Sequence, residues 1–356
     1  MNPIDNKAGS VSRCGAFRPL LRMLAICLAC LCAPGHSASI TPVITIPANS
    51  TDEDIMVALA KQNDGGEVVL QSGTYTIHKP IVLQHDRQTL RGTGTNTILI
   101  LADHANCPVI ILGAPKNAPH HGTANLRVAD LFIDGNRKNQ TSELWRAAGD
   151  GSLLNNNGID VYCVTNAIIE HVTCCRCRSG GLVSSAGTRQ LVVTDFAAFD
   201  NQYDGLACYL TEDSLFKGLY LHDNVAAGIS IDLKFNHNSI QDAIITGNEL
   251  GIFMRDSRSN SFKNITIGKS RNHGVFMAQA AAPIKGNWQL TPGTECTGNT
   301  FTSLTITNCG GKAFLVNNTS CTNNQITDSR FVDNAKGGLI QSADLNLVSV
   351  QNLVVR

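Results

Sequence analysis

The chain has 356 residues, of which 43% are hydrophobic and only 16% are charged, and its formal net charge is zero. So few charged residues argue against a charged helical bundle or coiled coil, while the hydrophobic content is sufficient for a folded core. No basic run occurs in the body of the chain, so the electrostatic signature of a nucleic-acid binder is missing. Glycine and asparagine are abundant, with 31 and 32 residues respectively.

Residues 1–38 are predicted to form a signal peptide. Four basic residues precede the apolar run MLAICLACLCA, and small residues follow it in the segment PGHSAS. This order is typical of an export signal, with cleavage expected between Ser37 and Ser39. The apolar run is short for a membrane span. We therefore expect a secreted or periplasmic protein without membrane contact after cleavage, and a lipoprotein anchored through Cys30 or Cys32 is the alternative.

The first predicted element after the signal is a helix within the segment TDEDIMVALAKQN. Ile55, Met56, Leu59 and Ala60 recur at helical spacing, and the Thr-Asp pair at 51–52 supplies an N-cap. Short strand-like segments follow, in GGEVVLQSGTYTI, PIVL and QTLRGTGTNTILIL. We expect the amphipathic helix to cover the exposed end of the structure that these strands begin.

A repeat of 23 or 24 residues dominates the centre of the chain. Its copies read GIDVY, GLVSS, GLACY, GISID, GIFMR and GVFMA, and they begin at Gly158, Gly181, Gly205, Gly228, Gly251 and Gly274. Each period contains three segments of four to six residues with alternating apolar and polar side chains, too short for helices. Three short strands per coil, stacked in register, form a parallel β-helix in which neighbouring coils bury each other's apolar faces.

We therefore predict an all-β fold, a right-handed parallel β-helix with an N-terminal capping helix, formed as a single domain by residues 39–356. Two insertions interrupt the period, at residues 136–156 and 279–298. They separate the cap and first coils, the regular coils and the final coils, at residues 39–135, 157–278 and 299–356. Each insertion contains one of the two tryptophans, Trp145 and Trp288. Either tryptophan could stack on a sugar ring or pin its loop to the solenoid.

The strand that follows each repeated glycine can be phased. The first and third residues after the glycine are apolar and should point inward, so the second and fourth should point to solvent. At the fourth position, Tyr209, Asp232 and Arg255 fall on three consecutive coils, and Lys234 is predicted to lie beside Arg255. These four residues are the candidate catalytic group. The alternative is a surface ladder of ion pairs, which would contribute little to stability.

This group fits the removal of a proton from C5 of a uronic acid. That reaction needs a cation to neutralise the sugar carboxylate, a base near C5 and a proton donor. Arginine can bind the carboxylate through two parallel hydrogen bonds, and a neighbouring like charge would lower the pKa of Lys234 and make it a base. Tyr209 could serve as base or acid. Further residues on the same face or its loops are candidates for substrate binding: Asp160, Tyr162, His237, Arg258, His273, Trp145 and Trp288.

The early strand segments, together with DLFIDGN at 130–136, resemble the N-terminal part of the pectate-lyase-like β-helix superfamily. This resemblance covers nearly all of the chain after the signal, and it implies an architecture but no particular reaction. The pair Lys234 and Arg255 resembles the Lys/Arg pair of the β-helix lyases that include alginate lyases and chondroitinase B. The resemblance implies that Lys234 is the base and Arg255 the proton donor. Ala227 and Ile229 stand where those lyases place acidic calcium ligands, so no metal ligand is identified and calcium stays an alternative cofactor.

The segments GIDVYCVT and DGLACYL resemble two coils of the mannuronan C5-epimerases, the first of them the GFDPHEQT-type segment of that family. The resemblance implies that Asp160 is the motif aspartate. Val161 replaces the proline of the motif and Tyr162 replaces its histidine, so Tyr162, Tyr209 or His273 would have to supply the missing group.

A polygalacturonase-type hydrolase is disfavoured by the spacing of the carboxylates. Such an enzyme needs two carboxylates that flank the scissile bond. Asp160 and Asp232 are predicted to lie three coils apart, about 14 Å at the usual strand spacing, and no adjacent pair of aspartates or Gly-His-Gly segment occurs.

Nine cysteines follow the signal segment, so at least one is unpaired. Cys174, Cys175 and Cys177 resemble part of a metal site, but no fourth ligand follows at suitable spacing. We expect cysteines stacked in the core and one or two disulfides, with a bridge favoured near the second insertion.

The sequence thus predicts an exported, monomeric β-helix protein that acts on an acidic, uronate-containing polysaccharide. The predicted reaction is C5 proton abstraction, as a polysaccharide lyase or a C5-epimerase, with no nucleic-acid partner. The alternative is a non-catalytic carbohydrate-binding or cell-surface adhesion β-helix protein.

Overall fold

The computed structural model describes residues 42–113, 122–146, 153–285, 287–340 and 348–356. The predicted signal peptide, residues 1–38, lies outside the described residues. Within those ranges, no helix is both long enough and apolar enough to cross a lipid bilayer.

Over the residues that the structure describes, to which the strand counts below refer, the chain winds through three parallel sheets, and most coils contribute one strand to each of them. Sheet 1 has ten strands: Ile81–Leu83, Ile110–Leu112, Ile159–Tyr162, Leu182–Ser185, Leu206–Tyr209, Ala227–Asp232, Leu250–Met254, Val275–Met277, Phe314–Val316 and Leu339–Ile340. Sheet 2 has six strands: Thr123–Ala124, Val164–Thr165, Thr188–Arg189, Thr211–Glu212, Phe235–Asn236 and Ser257–Arg258. The predicted parallel β-helix is confirmed.

Sheet 3 carries the longest strands, many of them eight residues long. Its sixteen strands are Val43–Ile46, Gly66–Leu70, Gly73–Ile77, Gln88–Arg91, Thr97–Leu101, Arg127–Asp134, Ile168–Cys175, Val192–Phe199, Leu215–His222, Ser239–Thr246, Ser261–Gly268, Thr300–Thr307, Asn324–Thr327, Arg330–Val332, Val348–Gln351 and Val354–Val355. Successive coils pair residue for residue along these strands, so side chains at equal positions form columns along the solenoid.

Both predicted insertions contain antiparallel strand pairs. In the first, Leu144–Arg146 pairs with Leu153–Asn155, after a short 3-10 helix at Arg137–Asn139. In the second, Ala281–Ile284 pairs with Asn287–Leu290. The hairpins therefore leave the coil repeat where the sequence period fails.

The predicted capping helix is Asp52–Ala60. Thr51 is its N-cap, and a capping box forms because the Thr51 side chain and the Asp54 carboxylate each accept a backbone N–H of the other residue. Ile55, Ala58 and Leu59 are buried, and the helix packs on the first strands. Ala60 was predicted to be buried but is exposed, because Ala58 fills that position on the inner face.

The interior of the solenoid is one continuous apolar cluster. The first and third residues after the repeated glycines point inward, as predicted. All ten of those phased positions are fully buried: Ile159, Val161, Leu206, Cys208, Ile229, Ile231, Ile252, Met254, Val275 and Met277.

A buried asparagine ladder explains part of the asparagine excess. Asn238, Asn260, Asn299 and Asn324 occupy equivalent positions on consecutive coils and are at most 2% exposed. The Asn260 side chain accepts the backbone N–H of Asn238 at 2.9 Å and donates to a main-chain carbonyl at 2.8 Å. Each amide therefore satisfies backbone groups that a turn would otherwise leave unpaired inside the protein.

The repeated glycines are required by close approach between coils. A Cβ atom added at these positions would lie 2.3 to 3.0 Å from the carbonyl oxygen at the equivalent position of the next coil. At Gly251 that distance, to the carbonyl oxygen of Gly274, is 2.3 Å. The glycine that marks each period in the sequence thus sets how closely the coils stack.

Gly251→Ala is expected to destabilise the protein by about 1–3 kcal/mol, because the new methyl group must push two coils apart. Gly268→Ala is the matched control, since its Cβ would meet nothing closer than 3.7 Å and its backbone needs no positive φ. Urea unfolding of both variants measures the difference. Equal stabilities would show that coil spacing tolerates a methyl group at Gly251.

The expected disulfides are absent from the described residues. All nine cysteines after the signal lie in the described part of the chain, and all are free thiols. Cys296 and Cys321, beside the second insertion, contact each other as thiols, and Cys309 is buried separately. Most of the nine fill interior positions as small apolar side chains, which is the part of the prediction that holds.

Candidate functional site

A cleft lies on the outward face of sheet 1 where the regular coils begin. We call it the Asp204 cleft, and its lining residues are Ser179, Gly180, Val183, Tyr203, Asp204, Ala207 and Tyr209. The first insertion borders it, because the Tyr203 hydroxyl donates a hydrogen bond to Glu143 at 2.6 Å. This cleft brings predicted Tyr209 together with residues that the sequence analysis did not select.

Asp204 lies just before the strand Leu206–Tyr209, and its carboxylate is held by a hydrogen bond from the next coil. It comes directly before the repeated glycine Gly205, and its Oδ1 accepts the backbone N–H of Ala227 on the next coil at 2.8 Å. Burial raises the pKa of Asp204 to about 6, although the hydrogen bond from Ala227 opposes this shift. Its carboxyl is therefore mostly ionised at neutral pH yet able to take up a proton.

Asp160 lies one coil before the cleft and is only 6% exposed. It pairs in register with Val183, which lines the cleft. Asn157 donates a hydrogen bond to Asp160 Oδ1 at 2.7 Å, whereas Oδ2 is buried without a hydrogen-bond partner among the described residues. Burial raises the pKa of Asp160 to about 7, against the opposing effect of Asn157. This carboxyl is about half protonated at neutral pH.

Tyr209 lines the cleft together with Asp204. Burial first, and the nearby Asp204 carboxylate second, raise the pKa of Tyr209 to about 12, while a hydrogen bond with Ser230 opposes them. The phenol therefore stays protonated near neutral pH. An ionised carboxylate and a protonated phenol thus line the same cleft, which is the pattern expected where protons are exchanged.

A positive charge lies at the rim of the cleft. The hydrogen bond to Glu143 is the main cause of a raised pKa at Tyr203. The charge of Arg178 is close enough to oppose that rise. In the described part of the chain, the Arg178 Nε is buried and has no hydrogen-bond partner. The guanidinium is therefore a candidate donor to an anionic group bound in the cleft.

The structure brings three of the four predicted catalytic residues together. Tyr209 pairs in register with Asp232, and Asp232 Oδ2 lies 2.5 Å from Arg255 Nη2 on the next coil. Asp232 is only 4% exposed, so its charge is matched by Arg255 inside the protein.

Lys234 lies outside sheet 1, on the turn that follows the strand Ala227–Asp232. Leu233 and Lys234 both have positive φ, of 51° and 67°, so the chain turns away from sheet 1 directly after Asp232. The Lys234 side chain is exposed, and its backbone N–H donates to the carbonyl of Asp256 at 2.8 Å. Lys234 is not part of the lining of the Asp204 cleft.

The predicted substrate-binding residues are divided between two faces. Tyr162 and His273 lie on or beside sheet 1. His237 and Arg258 belong to the sheet 2 side, where the His237 N–H donates to the Arg258 carbonyl and Arg258 contacts Glu295 at 3.3 Å. The two sets therefore do not form one continuous surface around the cleft.

The two tryptophans sit in the insertion hairpins. Trp145 pairs with Leu154 and Trp288 pairs with Pro283 through the backbone. Their side chains lie outside the described part of the structure, so their predicted contact with sugar stays a prediction.

Asp204 and Arg178 were missed for a definite reason. The outward positions were phased from the residues after each repeated glycine, whereas Asp204 directly precedes Gly205 and Arg178 belongs to the turn before Gly181. At the position before the glycine, only His273 was selected. The signal was nevertheless present, since the segment DGLACYL includes Asp204.

Across the described ranges, no group of three or more His, Cys, Asp or Glu side chains is placed to hold a metal ion. Cys174, Cys175 and Cys177 instead lie buried as free thiols, and burial raises the pKa of each of them.

Comparison with known proteins supports the fold and the predicted resemblance. A family described as "Right handed beta helix region" matches residues 231–354. Mannuronan C5-epimerases AlgE1 and AlgE3 of Azotobacter vinelandii are 27% and 26% identical to this chain over 176 residues. Each match covers 47% of this chain, but only 12% and 9% of those proteins, so the chain spans a small part of their length.

Solved structures show the same architecture over most of the chain. The A-module of mannuronan C-5 epimerase AlgE4 from Azotobacter vinelandii has a TM-score of 0.54 at 14% identity, covering 86% of this chain and 92% of that one. ORF18 of Geobacillus virus E2 has a TM-score of 0.62 at 13% identity, covering 87% and 60% respectively. At these identities the likeness shows the fold alone. The right-handed β-helix and the resemblance to β-helix proteins related to mannuronan C5-epimerases are confirmed.

Proposed function

We propose that the protein is a carbohydrate-active enzyme that abstracts the C5 proton of uronate residues in an acidic polysaccharide. The observation that carries this proposal is the Asp204 cleft, where Asp204 and Tyr209 differ in proton affinity, with the buried Asp160 one coil away. The sequence similarity to mannuronan C5-epimerases supports the substrate class.

Asp204 is the proposed base. A base must be ionised at the working pH and yet hold the proton it removes, and a carboxyl whose pKa is raised to about 6 meets both conditions. The hydrogen bond from Ala227 fixes one oxygen, so the carboxylate is already oriented before substrate binds.

Asp160 and Arg178 are the proposed stabilisers of the sugar carboxylate. Removing the C5 proton moves negative charge onto that carboxylate, which must be neutralised by hydrogen bonds or cations. A neutral Asp160 places no negative charge next to the cleft, and the Arg178 guanidinium supplies a positive charge at its rim. Protonation of Asp160 also removes the repulsion that an ionised aspartate would exert on a uronate.

Tyr209 is the proposed proton donor, because its pKa of about 12 keeps it protonated. If the donor returns a proton to the opposite face of C5, the product is the C5 epimer. If the proton goes instead to the oxygen on C4, the C4–O bond breaks, a C4=C5 double bond forms and the polymer is cleaved. Both outcomes share the first step at Asp204.

A non-catalytic carbohydrate-binding protein is the second candidate. The Asp232–Arg255 pair favours it, because the carboxylate and the guanidinium pair with each other within the protein. We also propose that the protein is exported and monomeric, on the strength of the predicted signal peptide and its single-domain repeat.

Incubation of the purified protein with alginate, pectate and glycosaminoglycans tests the proposal. NMR reports the C5 configuration, and ultraviolet absorbance reports unsaturated ends. We expect one polymer to show an altered C5 configuration or unsaturated products. Unchanged polymers throughout, with binding retained, would favour the binding protein and overturn the enzymatic proposal for these substrates.

A further inference from the structure

Two phenylalanines form a stacked pair on the outward face of sheet 1, beyond the Asp204 cleft. Phe253 and Phe276 are each the second residue after a repeated glycine, and they pair in register on neighbouring coils. Their ring centroids are 5.7 Å apart and their planes differ by 12°. Both side chains are partly exposed. A flat apolar strip therefore runs along the axis of the solenoid.

Arg255 adds a cation to one end of this strip. Its guanidinium carbon lies 5.2 Å from the centroid of the Phe253 ring. One nitrogen, Nη2, pairs with Asp232, while Nε is buried and unpartnered within the described structure. Arg255 therefore lies against the strip as a partly exposed cation, with its side chain 38% exposed.

His273 extends the strip at the other end. Its ring stacks on Phe276 with centroids 5.8 Å apart, and its Nδ1 accepts the backbone N–H of Lys312 at 2.8 Å. Burial first, and the charge of Lys336 second, lower the pKa of His273. The ring is therefore neutral at neutral pH and carries its proton on Nε2, with lysine charge close by.

We propose that Phe253 and Phe276 form a second subsite that binds uronate residues of the same polysaccharide chain. Planar rings stack on the apolar faces of sugars, and the surrounding Arg255, Lys312 and Lys336 match an anionic polymer. The inference rests on the proposed function for the identity of the polymer. The subsite itself takes part in no chemical step.

The strip and the Asp204 cleft lie along the same sheet, at a distance that one polymer chain can span. Phe253 and Phe276 lie two and three coils beyond Tyr209, about 10 and 14 Å at the usual strand spacing. A polymer lying along sheet 1 can therefore occupy the cleft and the strip together, whereas a short oligomer in the cleft cannot reach the strip. The strip thus favours longer chains.

Binding of uronate oligosaccharides of increasing length to the full-length chain tests the subsite. Phe253→Ala and Phe276→Ala are expected to weaken binding of the longer oligosaccharides about three- to tenfold, the usual effect of losing one aromatic contact. Tyr220→Ala is the matched control, because Tyr220 is an aromatic side chain 46% exposed on sheet 3. It should leave binding unchanged. Phe276→Leu keeps the apolar area but removes the flat ring. It therefore separates the loss of the aromatic contact from a loss of folding.

The outcomes separate this subsite from the proposed function. If the wild type changes uronate polymers but both phenylalanine variants bind as tightly as Tyr220→Ala, the subsite is refuted and the enzymatic proposal stands. If the variants bind less tightly but the wild type neither epimerises nor cleaves any polymer, the subsite is supported and the enzymatic proposal is refuted. Equal affinity for a neutral oligosaccharide of the same length would overturn the assignment to an anionic sugar.

Discussion

Replacement of Asp204 by asparagine is expected to lower the rate of C5 proton abstraction by about 10²–10⁴-fold, the usual contribution of a positioned general base. Asparagine is nearly the same size as aspartate and can still accept the N–H of Ala227 through its Oδ1. The strand start should therefore keep its conformation while the proton acceptor is lost. Turnover on the polymer that the wild type changes is the measurement.

Asp213→Asn is the matched control for this variant. Asp213 lies on the same coil, is half exposed and pairs only loosely with Arg189, at 3.9 Å. Its φ of 54° is a conformation that asparagine adopts readily. Both variants should bind polymer, and only Asp204→Asn should lose turnover. Full activity of Asp204→Asn would remove Asp204 from the mechanism.

Asp160→Asn is expected to abolish a large part of the dependence of stability on pH. Burial raises the pKa of Asp160 to about 7 in the folded protein, from 3.8 when the side chain is in water. Between these values the folded state binds more protons than the unfolded state, so stability falls as pH rises from about 4 to about 7. The full shift corresponds to about 4 kcal/mol, and asparagine at this position cannot lose a proton.

Urea unfolding from pH 4 to pH 8 compares the two proteins. The wild type should lose stability relative to Asp160→Asn across that interval and gain it back on acidification. The raised pKa of Asp204 acts in the same direction in both proteins, so the difference between the curves isolates Asp160. Parallel curves would show that Asp160 does not carry a strongly raised pKa.

The sequence was sufficient to predict the fold because one physical constraint recurs in every coil. Each repeated glycine meets a carbonyl oxygen of the next coil, so the contact that sets the spacing also marks the period. The alternation of buried and outward side chains after Gly251 and its equivalents then follows from strand geometry. The buried ladder through Asn260, by contrast, depends on contacts between coils that no single period displays.

The site was only partly predictable. The column of Tyr209, Asp232 and Arg255 follows from the period alone, and the structure shows it. Lys234 lies outside sheet 1 because Leu233 and Lys234 both adopt positive φ. Neither leucine nor lysine favours that backbone conformation, so the sequence gives no sign of the turn. Asp204 depends on burial for its raised pKa, and burial is a property of the cleft that several coils and the first insertion build together.

Incubation of the protein with a uronate polymer in D2O tests the central claim most directly, because epimerisation and elimination both begin with loss of the C5 hydrogen. NMR of the products should show the H5 signal replaced by deuterium or lost to a C4=C5 double bond. Asp204→Asn should leave H5 intact, whereas Asp213→Asn should behave as the wild type. Cleaved or bound polymer that retains every H5 would contradict C5 proton abstraction at the Asp204 cleft.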